Sequence, residues 1–199
     1  MARAIGVKNL HYAELLTDEA GKVATFATPT RIEKLINFGT TNNYSEYSFY
    51  SDDIIEEAGE ALQSEAISIE LGYLPNKLKA AITGNEYIEE KGIYVTRANV
   101  QQPAIALLYE IALSDGTSDY RVLYNCKLKL TEQSNATQSD SIESSNVTLE
   151  GLAIPLKSIH AFDMQISSGD SAADTTMIKN FFKTVQLPSG NTELKKASK

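Results

Sequence analysis

Residues 104 to 130 constrain this chain more than any other stretch, because they read as two long strands joined by a short turn. Ile105, Leu107, Tyr109, Ile111 and Leu113 alternate with Ala106, Leu108, Glu110 and Ala112, giving one fully apolar face and one mixed face at the two-residue period of a strand. Ser114, Asp115, Gly116, Thr117 and Ser118 supply the small and glycine residues a hairpin connection needs. In the second arm Tyr120, Val122, Tyr124, Cys126, Leu128 and Leu130 alternate with Arg121, Asn125, Lys127 and Lys129, which predicts a half-buried strand with all six on one apolar face. At about 3.3 Å per residue each arm spans roughly 30–40 Å, well beyond the usual strand of five or six residues. Strands of that length serve assembly as well as folding.

The rest of the chain adds to a sheet. His11 to Leu16 and Lys22 to Phe26 flank a glycine-containing turn and predict a short hairpin. Arg31 to Tyr50 mixes a helical spacing of Ile32, Leu35 and Ile36 with an Asn/Thr/Ser/Tyr-rich run, and is assigned to extended chain. Ser51 to Gln63, acidic and interrupted by Gly59, reads as a loop. Ile67, Ile69, Leu71 and Tyr73 alternate with polar residues as a strand, and Pro75 opens a helix through Leu78, Ala81 and Ile82 that ends before Gly84. The polar residues 131 to 146 form a mobile or partner-ordered loop. Val147 to Leu156 restores a strand, with a bulge expected at Gly151, and a last strand runs from Ile159 to Ile166. Asp174 caps a helix through Gln186, whose stripe of Met177, Ile178, Phe181, Phe182 and Val185 packs on the domain's own sheet or docks on a neighbouring subunit. The fold class is mainly β with one or two short helices. One domain spans residues 1–187, and 188–199 form a flexible C-terminal tail.

Charge and chemistry narrow the function by exclusion. Eighteen Lys and Arg against 26 Asp and Glu give a formal charge of −8, opposite to the basic footprint of a protein that grips nucleic acid. The single cysteine, Cys126, lies on an apolar strand face and reads as a buried thiol in a reducing compartment. His11 and His160 have no metal-ligating neighbours at a zinc spacing, no glycine-rich phosphate loop precedes a Lys-Ser/Thr pair, and no Gly-x-Ser-x-Gly elbow occurs. Neither metal, cofactor nor catalytic residue is expected, and no segment has the roughly 20 apolar residues that cross a bilayer.

Asp52, Asp53, Glu56, Glu57 and Glu60 form the densest carboxylate group. It lacks calcium-loop spacing, which leaves a solvated acidic loop or an intersubunit contact as its main readings. Tyr44, Tyr47, Phe49 and Tyr50 cluster just before it, a composition that favours contact surfaces and also suits a carbohydrate-binding face.

Several stretches, in order, resemble the major tail proteins of long, non-contractile tailed phages, the family that forms the tail tube. Ile5 to Ala13 is similar to the family's opening strand. Tyr50, Ser51, Asp52 and Asp53 followed by Glu56 resemble its loop before a strand of the Ile67 to Leu74 type, while Tyr120 to Leu128, a Ser/Thr-rich loop and Val147 to Pro155 resemble its closing strands. The resemblance implies a β-sandwich or barrel with a flanking helix and no enzymatic activity. It implies hexameric rings stacked head to tail into a hollow tube for DNA. The partners implied are other copies of the chain, the tape-measure, tail terminator and distal tail proteins, and DNA in transient, non-specific passage; no membrane is involved. The location implied is the virion tail, after synthesis in the bacterial host cytoplasm. Carried onto this sequence, the inter-ring loop comprises Tyr50, Ser51, Asp52, Asp53, Ile54, Ile55, Glu56, Glu57 and Glu60. Glu70, Glu110 and Glu150, on polar strand faces, are candidates for the channel lining. Two competing readings are a monomeric carbohydrate- or protein-binding β-sandwich that uses Tyr47, Phe49 and Tyr50, and a tube protein of a bacterial secretion system.

Overall fold

The computed structural model describes residues 2–51, 53–134 and 146–188. The strands are β1 (Ala4–Thr17), β2 (Thr25–Phe26), β3 (Thr30–Arg31), β4 (Leu35–Ser51), β5 (Ile54–Leu71), β6 (Glu86–Ile88), β7 (Ile93–Val95), β8 (Ile105–Leu113), β9 (Ser118–Gln133), β10 (Val147–Ile154) and β11 (Asp163–Ser167). Two short helices, α1 (Asn76–Thr83) and α2 (Thr175–Asn180), complete the order. The architecture is the expected mainly β fold of the sandwich type.

The central hairpin forms as the alternation requires. β8 and β9 pair antiparallel across a turn in which Gly116 holds φ at +84°, a left-handed value that glycine adopts without steric cost. The pairing slips between Ile105↔Cys126 and Leu107↔Leu123, so β9 carries one extra residue there, a β-bulge. That residue reverses the phase of the strand. Tyr120, Val122 and Tyr124 therefore face one side, while Leu123, Cys126 and Leu128 face the other. The expectation of one apolar face and a half-buried strand is corrected accordingly, since both faces of this hairpin are covered.

The main sheet runs β2-β1-β8-β9-β10-β5-β4. Cys126 is paired to Ile105 of β8 on one side and to Ala153 of β10 on the other, and β11 pairs with Asp119 to Leu123. β10 and β11 thus lie along the same edge of β9, separated by the excursion of residues 155 to 162. The sheet curls until β4, at one end of the order, comes back against β1, next to the other end. Inside the curl lies the larger core, with Leu10, Ile69, Leu71, Leu107, Leu123, Leu128 and Leu149 fully buried. Ile82 and Leu78 of α1 close one end of it. Gly84 stops that helix at φ +78°, where its N–H donates to the Ala80 carbonyl.

A second core covers the outer face of β1, β8 and β9. Ala106, Leu108, Val122 and Tyr124 pack there against Leu156 and Phe181. The C-terminal helix is shorter than expected and ends at Asn180, with Asp174 accepting from the Thr176 and Met177 amides at its start. Its continuation still packs on the domain's own sheet: Phe181 is fully buried, and Phe182 stacks on the His11 ring at 4.6 Å. The final strand begins at Asp163 rather than Ile159. The tail after residue 188 and most of the polar 131–146 loop fall outside the described residues.

Gly151 is not a bulge. Pairing runs through it unbroken, with Ile67 on one side and Leu128 on the other, and the β9–β10 register slips at Thr148/Leu149, where β9 carries the extra residue Thr131. A Cβ at Gly151 would sit 2.0 Å from the Lys127 carbonyl oxygen and 2.8 Å from a Leu128 methyl, so the two strands approach too closely for any side chain. Gly151→Ala is expected to cost about 3 kcal/mol, the upper part of the overpacking range, because the obstructing atom is backbone and cannot rotate away. Urea unfolding of the variant measures it.

Candidate assembly surfaces

The largest departure from expectation is also the most prominent surface feature. Ser51 to Gln63 is not a loop: residues from Ile54 onward belong to β5, which pairs with β4 along its whole length, from Ser51↔Ile54 to Leu35↔Leu71. β10 supports β5 only from Glu65 to Leu71. Beyond Glu65 the β4–β5 hairpin leaves the sheet as a free two-stranded arm. Eleven residues of β5 at about 3.3 Å each give that arm a reach of roughly 35 Å. A slip at Asn43/Tyr44, opposite Leu62 to Ser64, marks its root.

The arm holds together without a core of its own. Tyr47 lies over Gly59, where a Cβ would meet the tyrosine oxygen at 2.5 Å, so the ring covers the backbone that glycine leaves bare. Phe49 packs beside Tyr47 with ring centroids 5.7 Å apart. The remaining large side chains face solvent, with Tyr50 69% and Ile54 71% exposed, and Tyr44 and Ile55 also open. Asp53, Glu56, Glu57 and Glu60 share the outer half of the arm, and the sequence contains no Lys or Arg from residue 35 to residue 76. Of the nine residues expected in the inter-ring segment, Asp52 lies outside the described residues. The other eight are brought together at and near the arm's tip.

At the root, Arg121 ties the arm to the body. Its Nη2 donates to Glu65 Oε1 at 2.7 Å and its Nε to Asp163 Oδ2 at 2.8 Å. Its Nη1 donates to the Tyr109 hydroxyl and to Thr40 Oγ1, both at 3.2 Å. Burial opposes the guanidinium charge, but the Tyr109 hydroxyl and the Asp163 and Glu65 carboxylates outweigh it and hold the Arg121 pKa above its ordinary value. Glu65, only 2% exposed, is the last residue of β5 paired with β10, so the cluster clamps the strand where it departs. Sequence reasoning missed it, because its members come from five separate strands.

The three glutamates expected to line a channel all leave the outer face of the sheet but differ in cover. Glu70 and Glu150 project from the uncovered face of β5 and β10, as do Ser68, Thr148, Leu152 and Ile154, and Glu150 pairs across to Lys129. Glu110, on the part of that face that the second core covers, is buried, accepts from Asn9 Nδ2 at 2.7 Å and pairs with Lys8 at 3.2 Å. Burial disfavours its charge, but hydrogen bonds from Ser118, Asn9 and Lys8 prevail and lower its pKa. Glu110 thus holds β1 to β8. Leu152 and Ile154, apolar yet on the outer face, were legible in the sequence as residues out of keeping with a polar side.

One further surface remains. β4 is an edge strand throughout, with an unpaired backbone row that a second chain can extend. Among the described residues no group of three or more His, Cys, Asp or Glu is placed to hold a metal ion, and no helix is long and apolar enough to cross a membrane.

Residues 40–190, from within β4 past the C-terminal helix, match the model of the phage tail tube protein family. The chain belongs to this family. Its role is structural, as a component of the tail tube in the virion, and it is not an enzyme. Tail tube proteins of this kind self-assemble into tubes. Among solved structures the chain is similar to the tube-terminating cap of the anti-feeding prophage, with 12% identity, coverage of 79% of this chain and 88% of that one, and a TM-score of 0.41. It is also similar to a chain of the sheath–tube complex of an extracellular contractile injection system in its extended state, with 10% identity, coverage of 79% and 87%, and a TM-score of 0.39. No curated protein matches it in sequence.

Proposed function

We propose that this tail tube protein, a single domain over residues 1–187 with 188–199 as its tail, forms hexameric rings that stack into a hollow tube through which DNA passes. The observation that carries the reading is the free β4–β5 arm. A monomer gains nothing from roughly 35 Å of ribbon that exposes Tyr44, Tyr50, Ile54 and Ile55 to water, whereas an assembly buries them against a neighbour. The arm is the inter-ring contact, and the long free edge of β4 is the place where a neighbouring sheet joins within a ring.

The uncovered face of β9, β10 and β5, with Glu70 and Glu150, is assigned to the channel. Lys127 and Lys129 are interleaved there with those carboxylates and with Leu152 and Ile154, so no cationic stripe grips passing phosphates. With a formal charge of −8 per chain the tube as a whole repels DNA weakly and lets it slide. The tape-measure, tail terminator and distal tail proteins are the further partners of such a tube, and its subunits are made in the host cytoplasm.

Negative-stain electron microscopy with light scattering, across a concentration series, tests the reading. Hollow rings or tubes are expected above a threshold concentration, and a monomer at every concentration would refute the proposal. Replacing residues 46–60 by an Asn-Gly turn, which closes the shortened hairpin at the Ser45↔Ala61 pair, is expected to leave cooperative unfolding within about 1 kcal/mol of the parent while abolishing stacking. Tubes of unchanged length from that variant would remove the arm from the inter-ring contact.

A further inference from the structure

The arm's tip is acidic and apolar, and the opposite end of the same hairpin is its chemical complement. A pocket of about 320 Å³ opens where β4 begins, lined by Val7, Lys8, Arg31, Glu33, Lys34 and Leu35 together with Asn9 and Ile32. Its walls are fixed by backbone rather than by mobile side chains. The Ile32 N–H donates to the Leu10 carbonyl and the Gly72 N–H to the Lys34 carbonyl, each at 2.8 Å. Lys34 is held at φ 62° and Asn9 at φ 55°, in the left-handed region.

Arg31 and Lys34 are exposed and make no ion pair among the described residues, whereas Lys8 is shared with Glu110. Glu33 offsets one of these charges, and the rim stays cationic. Ile36 approaches the same corner, its Cδ1 being 3.7 Å from where a Gly72 Cβ would be, and it is 51% exposed. Exposed Tyr73 follows directly in the chain. The site thus offers two cations and an apolar rim to a ligand with carboxylates and large apolar side chains.

Leu35 begins β4 and Ser51 ends it, so about 50 Å of strand separates pocket and tip at about 3.3 Å per residue. One molecule cannot join its own two ends, but a second copy can. A contact between unlike patches at opposite ends repeats without closing and propagates along an axis.

We propose that the arm tip of one copy, through Tyr50, Ile54, Ile55, Glu56 and Glu57, seats on the pocket of Val7, Arg31, Lys34 and Leu35 in the next. This rests on the arm being the axial contact and supplies its receptor. Lys127 and Lys129 are another exposed lysine pair, but Glu150 stands across the strands from Lys129 and repels an acidic tip. The contact is partly ionic and weakens as salt screens it.

Charge reversal on each side provides the test, read by sedimentation velocity and electron microscopy. Arg31→Glu with Lys34→Glu, and separately Glu56→Lys with Glu57→Lys, are each expected to raise the concentration needed for stacking by at least about tenfold, because like charges then face each other. All four positions are exposed, and circular dichroism melts should match the parent. Combining the four substitutions in one chain is expected to restore stacking. Assembly of the Arg31/Lys34 variant at the parent's concentration, or failure of the fourfold variant to recover, would overturn this receptor while leaving the arm's axial role intact. A parent that never assembles would overturn both.

Discussion

Arg121→Met is expected to lower the unfolding free energy by about 3–5 kcal/mol, because it leaves the Glu65 carboxylate buried without its cation. Urea unfolding measures the loss. The size follows from the environment: Glu65 is 2% exposed, and Arg121 is the guanidinium that donates to it at 2.7 Å. Asp163, on the rim with its side chain 34% exposed, can hydrate once released and contributes less. Arg121→Lys is expected to recover only part of the loss, since a single ammonium cannot meet Glu65, Asp163, Tyr109 and Thr40 in one plane as the guanidinium fork does. Combining Arg121→Met with Glu65→Gln should cost less than Arg121→Met alone, as the uncompensated charge is then gone. Additive effects of Arg121→Met and Glu65→Gln would show that these contacts act independently and not as a cluster. The cluster sits where the arm departs, so the single variant should lose assembly even under conditions in which most of it is folded.

How far the sequence discloses this architecture depends on what each strand faces. Ile67, Ile69 and Leu71 are legible because one side of β5 is buried and the other is wet, so hydrophobic and polar residues must alternate. β9 is harder. With cores on both sides, a change of phase leaves almost no mark, and only the consecutive Val122, Leu123 and Tyr124, followed by the buried Asn125, betray the bulge. The arm is the opposite case. Neither of its faces is buried within the chain, so no periodicity is imposed, and an acidic stretch around Gly59 has the composition of a loop. Its strand character comes from cross-strand partners, above all Tyr47 over Gly59, and that pairing has no local signature. The residues of the arm were thus legible by identity but not by conformation. Thr40, Glu65, Tyr109, Arg121 and Asp163 were legible in neither sense, because no spacing rule connects five residues that only the folded sheet brings together. For Glu110 the polar side of an alternating strand misled for a related reason: the second core, contributed by the C-terminal segment, covers that side.

The same difference in covering links fold to function. Outside β1, β8 and β9 the sheet is sealed by Phe181 and its neighbours, which spends that face on stability. The face of β9, β10 and β5 beyond Lys127 has no such cover, and the β4 edge beside it has no partner strand. Exposed face, exposed edge and free arm all belong to the β10-β5-β4 end of the strand order. Tyr44, Tyr50, Ile54 and Ile55 of the arm and Leu152 and Ile154 of the face are large apolar side chains left in water there.

Tyr124→Asp is expected to abolish cooperative folding altogether. Tyr124 is fully buried in β9, the strand that carries both cores, among Ala106, Leu108, Val122 and Phe181. Its hydroxyl donates to the Gln186 carbonyl at 3.0 Å, which pins the C-terminal segment over the sheet, and burial raises its pKa by disfavouring the phenolate. A carboxylate at this position would be unpaired in apolar surroundings and too short to reach Gln186, at a cost comparable with the whole stability of a small domain. Tyr124→Phe separates the two contributions. It keeps the ring, loses one hydrogen bond and should cost only about 1 kcal/mol, seen chiefly as faster exchange of the amides near Gln186. Cys126, two residues along and fully buried with its thiol pKa pushed up by desolvation, serves as an internal reporter. In the parent and in Tyr124→Phe it should resist a thiol reagent until denaturant is added, and in Tyr124→Asp it should react at once. A Tyr124→Asp chain that melts cooperatively near the parental midpoint with Cys126 still protected would mean that the C-terminal segment is not a second core but a detachable strap.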